Sequence, residues 1–171
     1  MNSKERREVI LNKLNIKSEP IKGSNLAEEL NVTRQIIVKD IAIIRASGNK
    51  IIATPSGYII EDKRKAGIER VLALKHDENQ IEDELSTIIK YGGIIKDVIV
   101  EHPLYGEIKG NLMIKTQFDI INFINKMNKS MAEPLMKLTK GVHLHTVEAE
   151  NEESMARIIK ELEEKKYLVT D

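Results

Sequence analysis

Residues 24–48, "SNLAEELNVTRQIIVKDIAIIRASG", hold two helical patterns separated by a short break. In the first, Leu26 and Leu30 line one face with the small Ala27 beside them, and Ser24 stands where an N-cap belongs. Asn31 suits the left-handed conformation that ends a helix, and Val32 fills the turn. In the second, Thr33 is an N-cap type, Ile36, Ile37, Ile41 and Ile44 recur at helical spacing, and Gly48 stops the pattern. Two helices joined by a turn of about three to four residues make a helix-turn-helix, whose second helix enters the major groove of DNA.

The flanks extend this reading. Over residues 4–16, Val9, Ile10, Leu11, Leu14 and Ile16 fit one face of a helix, and Pro20 and Gly23 interrupt it. After Gly48, "KIIATPSGYIIED" reads as two short strands, 50–54 and 58–60, around a Pro-Ser-Gly turn. Three helices and a hairpin predict a winged helix-turn-helix over residues 1–60, and the segment resembles the one at the front of many bacterial repressors. The second helix would present Arg34, Gln35, Lys39 and Arg45 to double-stranded operator DNA, with Thr33 at its start. Arg and Gln suit guanine and adenine edges, whereas Lys39 suits a phosphate. A small helical bundle with a solvated polar face is the plainer alternative.

Charge is distributed accordingly. The net charge of zero conceals ten Lys and Arg against six Asp and Glu in residues 1–60, and 17 against 21 in the remainder. All four histidines, His76, His102, His143 and His145, lie in that acidic remainder. There is no cysteine, which excludes disulfides and thiolate metal sites. No apolar run approaches the roughly 20 residues that cross a bilayer, so a cytoplasmic protein without membrane association is expected.

"EDKRKAG" at 61–67 is a plausible linker, after which strand and helix patterns alternate to the end. Strands are expected at 68–76, 94–102 and 105–114, helices at 78–92 and 116–128, one long or two short strands at 135–149, and a closing helix and strand at 151–169. The fold class is therefore α+β, a winged helix followed over 67–171 by an α/β sandwich with helices covering a sheet.

In "GVHLHTVEAE", residues 141–150, strand alternation puts His143 and His145 on one face with Val147, and turns Leu144 the other way toward apolar packing. Two such imidazoles, about 7 Å apart, can converge on one metal ion. His76 ends a strand, Asp77 can cap the helix after it, and Glu84 lies about two turns in, with the spacing leaving its direction open. Three imidazoles and a carboxylate would suit Zn, Ni, Fe, Mn or Co. Half-buried histidines satisfied by backbone carbonyls fit the same pattern.

The rear segment resembles the three-histidine domain that, behind a winged helix, makes up the niacin-responsive repressors of bacterial NAD biosynthesis. The resemblance rests on "ALKHDENQIEDEL", "KDVIVEHPLYGEIKGNL" and "KGVHLHTVEA", with "EHPLYGEI" the most specific. It implies a divalent transition metal on His76, Glu84, His143 and His145, nicotinic acid as corepressor, and operator binding as a homodimer. It also implies a role near the effector for His102 and Tyr105, which otherwise read as a turn shaped by Pro103. Two other functions fit the residues: a regulator that senses the metal itself, and a DNA-tethered metalloenzyme. The sequence has no phosphate loop and no nucleophile-and-base pattern to favour the last.

Overall fold

The computed structural model describes residues 1–60 and 67–170. The linker expected over 61–67 lies outside them except for Gly67. The chain divides into two compact units, Met1–Lys65 and Ala66–Asp171.

The first unit contains helices α1 (Ser3–Ile16), α2 (Gly23–Glu29) and α3 (Arg34–Ala46), followed by the antiparallel pair β1 (Ile51–Thr54) and β2 (Gly57–Ile60). This is a winged helix-turn-helix. Asn2 starts α1 with a reciprocal cap: its side chain accepts the Glu5 amide while Glu5 accepts the Asn2 amide. Thr33 caps α3 by accepting the Ile36 amide, and Asn31 (φ 51°) and Gly48 (φ 92°) make the left-handed turns at the two helix ends. Ile10, Leu14, Leu26, Ile37, Ile41 and Ile44 form the core. Each fully buried side chain of this size contributes about 1.5–3 kcal/mol.

Two local expectations give way. Ile16 is exposed, because it ends α1 just before the chain turns extended at Lys17; only Ile10 and Leu14 of that face are fully buried. Ser24 lies within α2 and does not cap it. Lys22 occupies the cap position without a side-chain bond, because Ile21 and Tyr58 exchange both backbone hydrogen bonds and fix where the helix starts. That exchange needs Gly57, which has φ 137° and where a Cβ would stand 2.4 Å from the Ile21 carbonyl oxygen.

The second unit is one antiparallel sheet with helices packed on one face. Its elements are β3 (Ile68–Lys75), a 3-10 turn (Glu78–Gln80), α4 (Ile81–Lys90), β4 (Ile94–His102), β5 (Gly106–Ile114), α5 (Gln117–Ser130), a 3-10 segment (Leu135–Thr139), β6 (Val142–Ala149) and α6 (Glu152–Glu164). The strand order is β3-β6-β4-β5. Ile81, Leu85 and Ile88 of α4, Ile120 of α5 and Met155, Ile158 and Leu162 of α6 join Leu74, Ile95, Ile114 and Val147 of the sheet in one core. No described helix is long and apolar enough to cross a membrane.

The front half of 135–149 is a 3-10 segment in place of a strand, started after Pro134 and ended by the left-handed Lys140. At the C-terminus, Leu168 bridges Leu74 but forms no strand. Leu144 also departs from expectation. The histidines occupy the core-facing side of β6 with Val147 and Ala149, and Leu144 is half-buried on the opposite face. Alternation assigns two faces to a strand but not which of them the helices cover.

Candidate functional site

Two constraints bring His76, Glu84, His143 and His145 together. The β3–β6 register pairs Leu74 with His143, so His76, just beyond β3, reaches the start of β6, where its amide donates to the Gly141 carbonyl. In α4, residues 81, 84, 85 and 88 share the face that packs on the sheet, so Glu84 points inward among apolar neighbours. A 3-10 turn precedes α4, so Glu84 sits in the first turn of the α-helix and not two turns in. All four side chains are buried.

Glu84 is the hub. Its Oε2 lies 2.9 Å from His76 Nε2 and 3.6 Å from His143 Nε2, and its Oε1 lies 3.0 Å from His145 Nε2. One ligand atom each from His76, Glu84 and His143 falls within 4.8 Å of the others. The other ring nitrogens are committed to backbone carbonyls: His76 Nδ1 donates to Asp77 O, His143 Nδ1 to Gly141 O, and His145 Nδ1 to Asp97 O, at 2.8, 2.9 and 2.5 Å. Each neutral ring therefore turns the lone pair of Nε2 toward the Glu84 carboxylate. Lone pairs facing an anion in a buried space require a cation between them, either protons or a metal ion.

The donor set fits a divalent transition ion. Three imidazole nitrogens and one carboxylate are its usual ligands, and each ring is already oriented through its second nitrogen. Glu84 Oε1 has no hydrogen-bond partner although His145 Nε2 is 3.0 Å away. The two atoms approach without the alignment of a hydrogen bond, as donors aimed at a shared point do.

Without a metal, protons fill this role. Burial alone would raise the Glu84 carboxyl, but His145, His143 and His76 overrule it and hold it well below the usual carboxylate range. Burial alone would lower the imidazoles of His76 and His145, yet Glu84 and the carbonyls of Asp77 and Asp97 raise both above 6.5. Raised imidazoles contribute stability that is present below their unfolded value and is lost as pH rises through the folded one. The depressed Glu84 contributes above the ordinary carboxylate value and is lost only in stronger acid. The metal-free protein should therefore lose thermal stability as pH rises above about 6.5. Metal must displace the same protons, so metal-loaded protein should gain stability over that range. Melting curves of both forms across the range test this, and parallel curves would contradict it.

Two neighbours that sequence reasoning missed shape the site. Tyr167 packs its ring 5.1 Å from that of His76 and donates to Asp83, and burial together with that bond pushes its hydroxyl up to about 12. Gly141 accepts from both His76 and His143, has φ 92°, and would place a Cβ 2.5 Å from the His76 carbonyl oxygen. The "KG" before "VHLH" was the available signal. Gly141→Ala should cost about 1–3 kcal/mol and lower metal retention, since strain at the glycine moves two candidate ligands, His76 and His143, at once. Chemical denaturation with metal analysis reads both, and a variant equal to the parent in both would contradict it.

His102 and Tyr105 belong to the β4–β5 hairpin tip, where their rings stack with centroids 5.1 Å apart. His102 Nδ1 accepts the amides of Leu104 and Tyr105, so its Nε2 carries a proton available to a ligand. Extending the Ile99–Leu144 pairing brings His102 to the sheet end that holds Gly141 and His143. A separate cleft of about 470 Å³ lies between the start of α4 and the end of α5. Glu78, Glu82 and Glu133 line it with Ile124, Met127 and Met131, and its acidic rim disfavours a carboxylate ligand.

In the first unit, Arg34, Gln35 and Lys39 are exposed on α3. Val38, also exposed and one turn beyond Arg34, was missed by the polar pattern and suits a thymine methyl. Arg45 Nε donates to the Ile51 carbonyl at 2.8 Å, which ties that side chain to the wing. The Thr33 hydroxyl caps α3.

Comparison with known proteins matches each unit to a family. Residues 6–59 match a family described as an HTH domain and residues 69–171 match the 3H domain family. The chain is 46% identical over 167 residues to "Probable transcription repressor NiaR" of Thermotoga maritima, covering 98% of this chain and 95% of that protein. It is 37% identical over 169 residues to "Transcription repressor NadR" of Bacillus subtilis, covering 97% and 94%. The fold and these matches define a DNA-binding transcription repressor built of an HTH domain and a 3H domain. Within that class, the chain belongs to the family of NiaR and NadR.

Proposed function

We propose that this repressor acts in the cytoplasm as a homodimer on genes of NAD biosynthesis or niacin uptake. A divalent metal is held by His76, Glu84, His143 and His145, and nicotinic acid is the corepressor. The observation that supports it most is the set of three imidazoles, each pinned through Nδ1 to a carbonyl, turned on one buried carboxylate. Among Ni, Zn, Fe, Mn and Co, the donors favour no single ion. When bound, the metal supplies a positive charge to which a carboxylate or a pyridine nitrogen is drawn.

The chain's own residues do the rest. His76, His143 and His145 orient their ligand atoms, Glu84 balances charge, and Tyr167 closes one side against water. His102 presents its Nε2 proton to the effector carboxylate, and Tyr105 offers a ring face to the pyridine. Effector binding changes operator affinity only as far as it distinguishes two arrangements of the protein, and a coupling of about 1–3 kcal/mol is ordinary. Two copies are required because one recognition helix reads one half-site. Calorimetry with metal-loaded protein tests the effector. Nicotinic acid should bind and nicotinamide bind less well, with His102→Ala weakening the acid; equal heats for both ligands would refute the carboxylate contact.

On DNA, Arg34→Ala or Gln35→Ala should cost about 1–3 kcal/mol and relax preference at one operator position. Lys39→Ala should weaken all sequences alike. Arg45 is a backbone contact in this reading, since its Nε already serves β1, and Thr33 contributes a hydroxyl to phosphate. Affinity across single-base operator variants separates these effects; uniform losses for Arg34 and Gln35 would remove the base-reading assignment.

The burial of the four donors favours a second reading, in which the metal alone is the effector, because so closed a site suits an ion better than an organic molecule. DNA affinity would then respond to metal without nicotinic acid. A metalloenzyme ranks below both.

A further inference from the structure

We infer that Asp97 is a positioning residue for the metal centre, its side chain holding His145 in place across a fault in the sheet; this rests on the metal reading above. The register of β4 against β5 shifts between Ile95 and Asp97, and its pairing with β6 shifts between Ile95 and Ile99. At that bulge the regular ladder to β6 is interrupted. Asp97 Oδ1 accepts the Thr146 amide at 2.9 Å, while the Asp97 carbonyl accepts Nδ1–H of His145 at 2.5 Å. Two consecutive residues of β6, one of them a candidate ligand, thus hang on a single residue of β4.

The carboxylate is 3% exposed in mid-strand, with Lys109 Nζ 3.1 Å from Oδ2. Burying a carboxylate there costs free energy that an apolar residue would not. The cost is offset by a hydrogen bond to the one ladder amide that immediately follows His145. Losing that bond lets β6 shift at Thr146 and turns the imidazole away from Glu84. The partner of the His145 ring is the Asp97 carbonyl, which a strand displaced at Thr146 no longer meets, and losing such a partner typically changes metal affinity by about 10–100-fold.

The test uses the full chain and Co²⁺ as the probe, reading affinity and visible absorption bands together. Asp97→Ala and Asp97→Leu should lower Co²⁺ affinity about 10–100-fold and shift the bands. Asp97→Asn keeps an acceptor for the Thr146 amide, so it should retain the parent bands and bind within about threefold of the parent. A folded Ala or Leu variant with parental affinity and bands would overturn the inference even if it melted earlier, since Asp97 would then support only the fold. An Asn variant as weak as Ala would also overturn it, by moving the effect from the hydrogen bond to the charge. If Ala leaves too large a void to fold, Leu fills the volume and carries the same comparison. A parent chain that takes up no Co²⁺ would overturn the metal reading itself, and this inference with it.

Discussion

Glu84→Gln should abolish metal retention while leaving the rear unit folded. The amide keeps the shape of the carboxylate but removes the charge that balances a dication among three neutral imidazoles. In the metal-free state the cost depends on pH. Where the imidazoles are neutral the Gln NH2 can donate to an Nε2 lone pair, and the variant should melt within a few degrees of the metal-free parent; in mild acid it lacks the carboxylate that holds protons on His76 and His145 and should melt clearly earlier. The difference appears when metal is added. A ligand at a thousandfold excess over its Kd stabilises the parent by about 4 kcal/mol, which for a domain of about 100 residues raises Tm by about 15–30 °C. The variant should show almost none of that rise. A Glu84→Gln chain that still gains as much from metal as the parent would place the ion elsewhere.

In the first unit the largest effect is expected at Asp40. This carboxylate is 2% exposed on α3, with Arg6 Nε at 2.6 Å and Arg7 Nη1 at 3.5 Å from α1. Asp40→Ala leaves the largely buried Arg6 guanidinium without its counter-charge, and breaking such a pair costs about 3–5 kcal/mol. A unit of about 60 residues has only about 3–9 kcal/mol of stability in total, so between about a third and all of it is lost. Operator binding should weaken sharply at physiological temperature, while metal uptake by the rear unit stays unchanged. Asp40→Asn retains an acceptor and should fall between Ala and the parent. Denaturation followed by circular dichroism reads the cost; an Ala variant within about 0.5 kcal/mol of the parent would show the pair to be no better than a surface one.

Much of this fold was legible because its signals are local. Thr33 caps α3, Asn31 and Gly48 take the left-handed conformation, and the isoleucines of α3 face the core, all set by residues within a turn of one another. His143 and His145 share a face for an equally local reason, the two-residue period of a strand. What escaped depends on distant partners. The helical face of Glu84 follows from where Ile81, Leu85 and Ile88 meet the sheet, and the outward turn of Leu144 from which side the helices cover. The start of α2 is set by the wing through Ile21 and Tyr58, so Ser24 looked like a cap and is not one. The 3-10 segment at Leu135–Thr139 imitates a strand because Leu135, Met136 and Leu138 are apolar, though only Met136 is fully buried. The role of Asp97 was hidden because its side chain serves the Thr146 amide across the sheet, and Gly141 showed only as the glycine before the histidine strand, its two histidine contacts being set by the β3–β6 register.

In the function proposed above, a buried metal centre makes operator affinity depend on nicotinic acid. The affinity of the full chain for its operator duplex, with metal loaded or removed and nicotinic acid present or absent, reads that dependence. Nicotinic acid should tighten binding by about 5–150-fold when metal is present, and by nothing measurable when metal is removed or Glu84 is replaced by Gln. Equal operator affinity with and without saturating nicotinic acid, metal present, would contradict it.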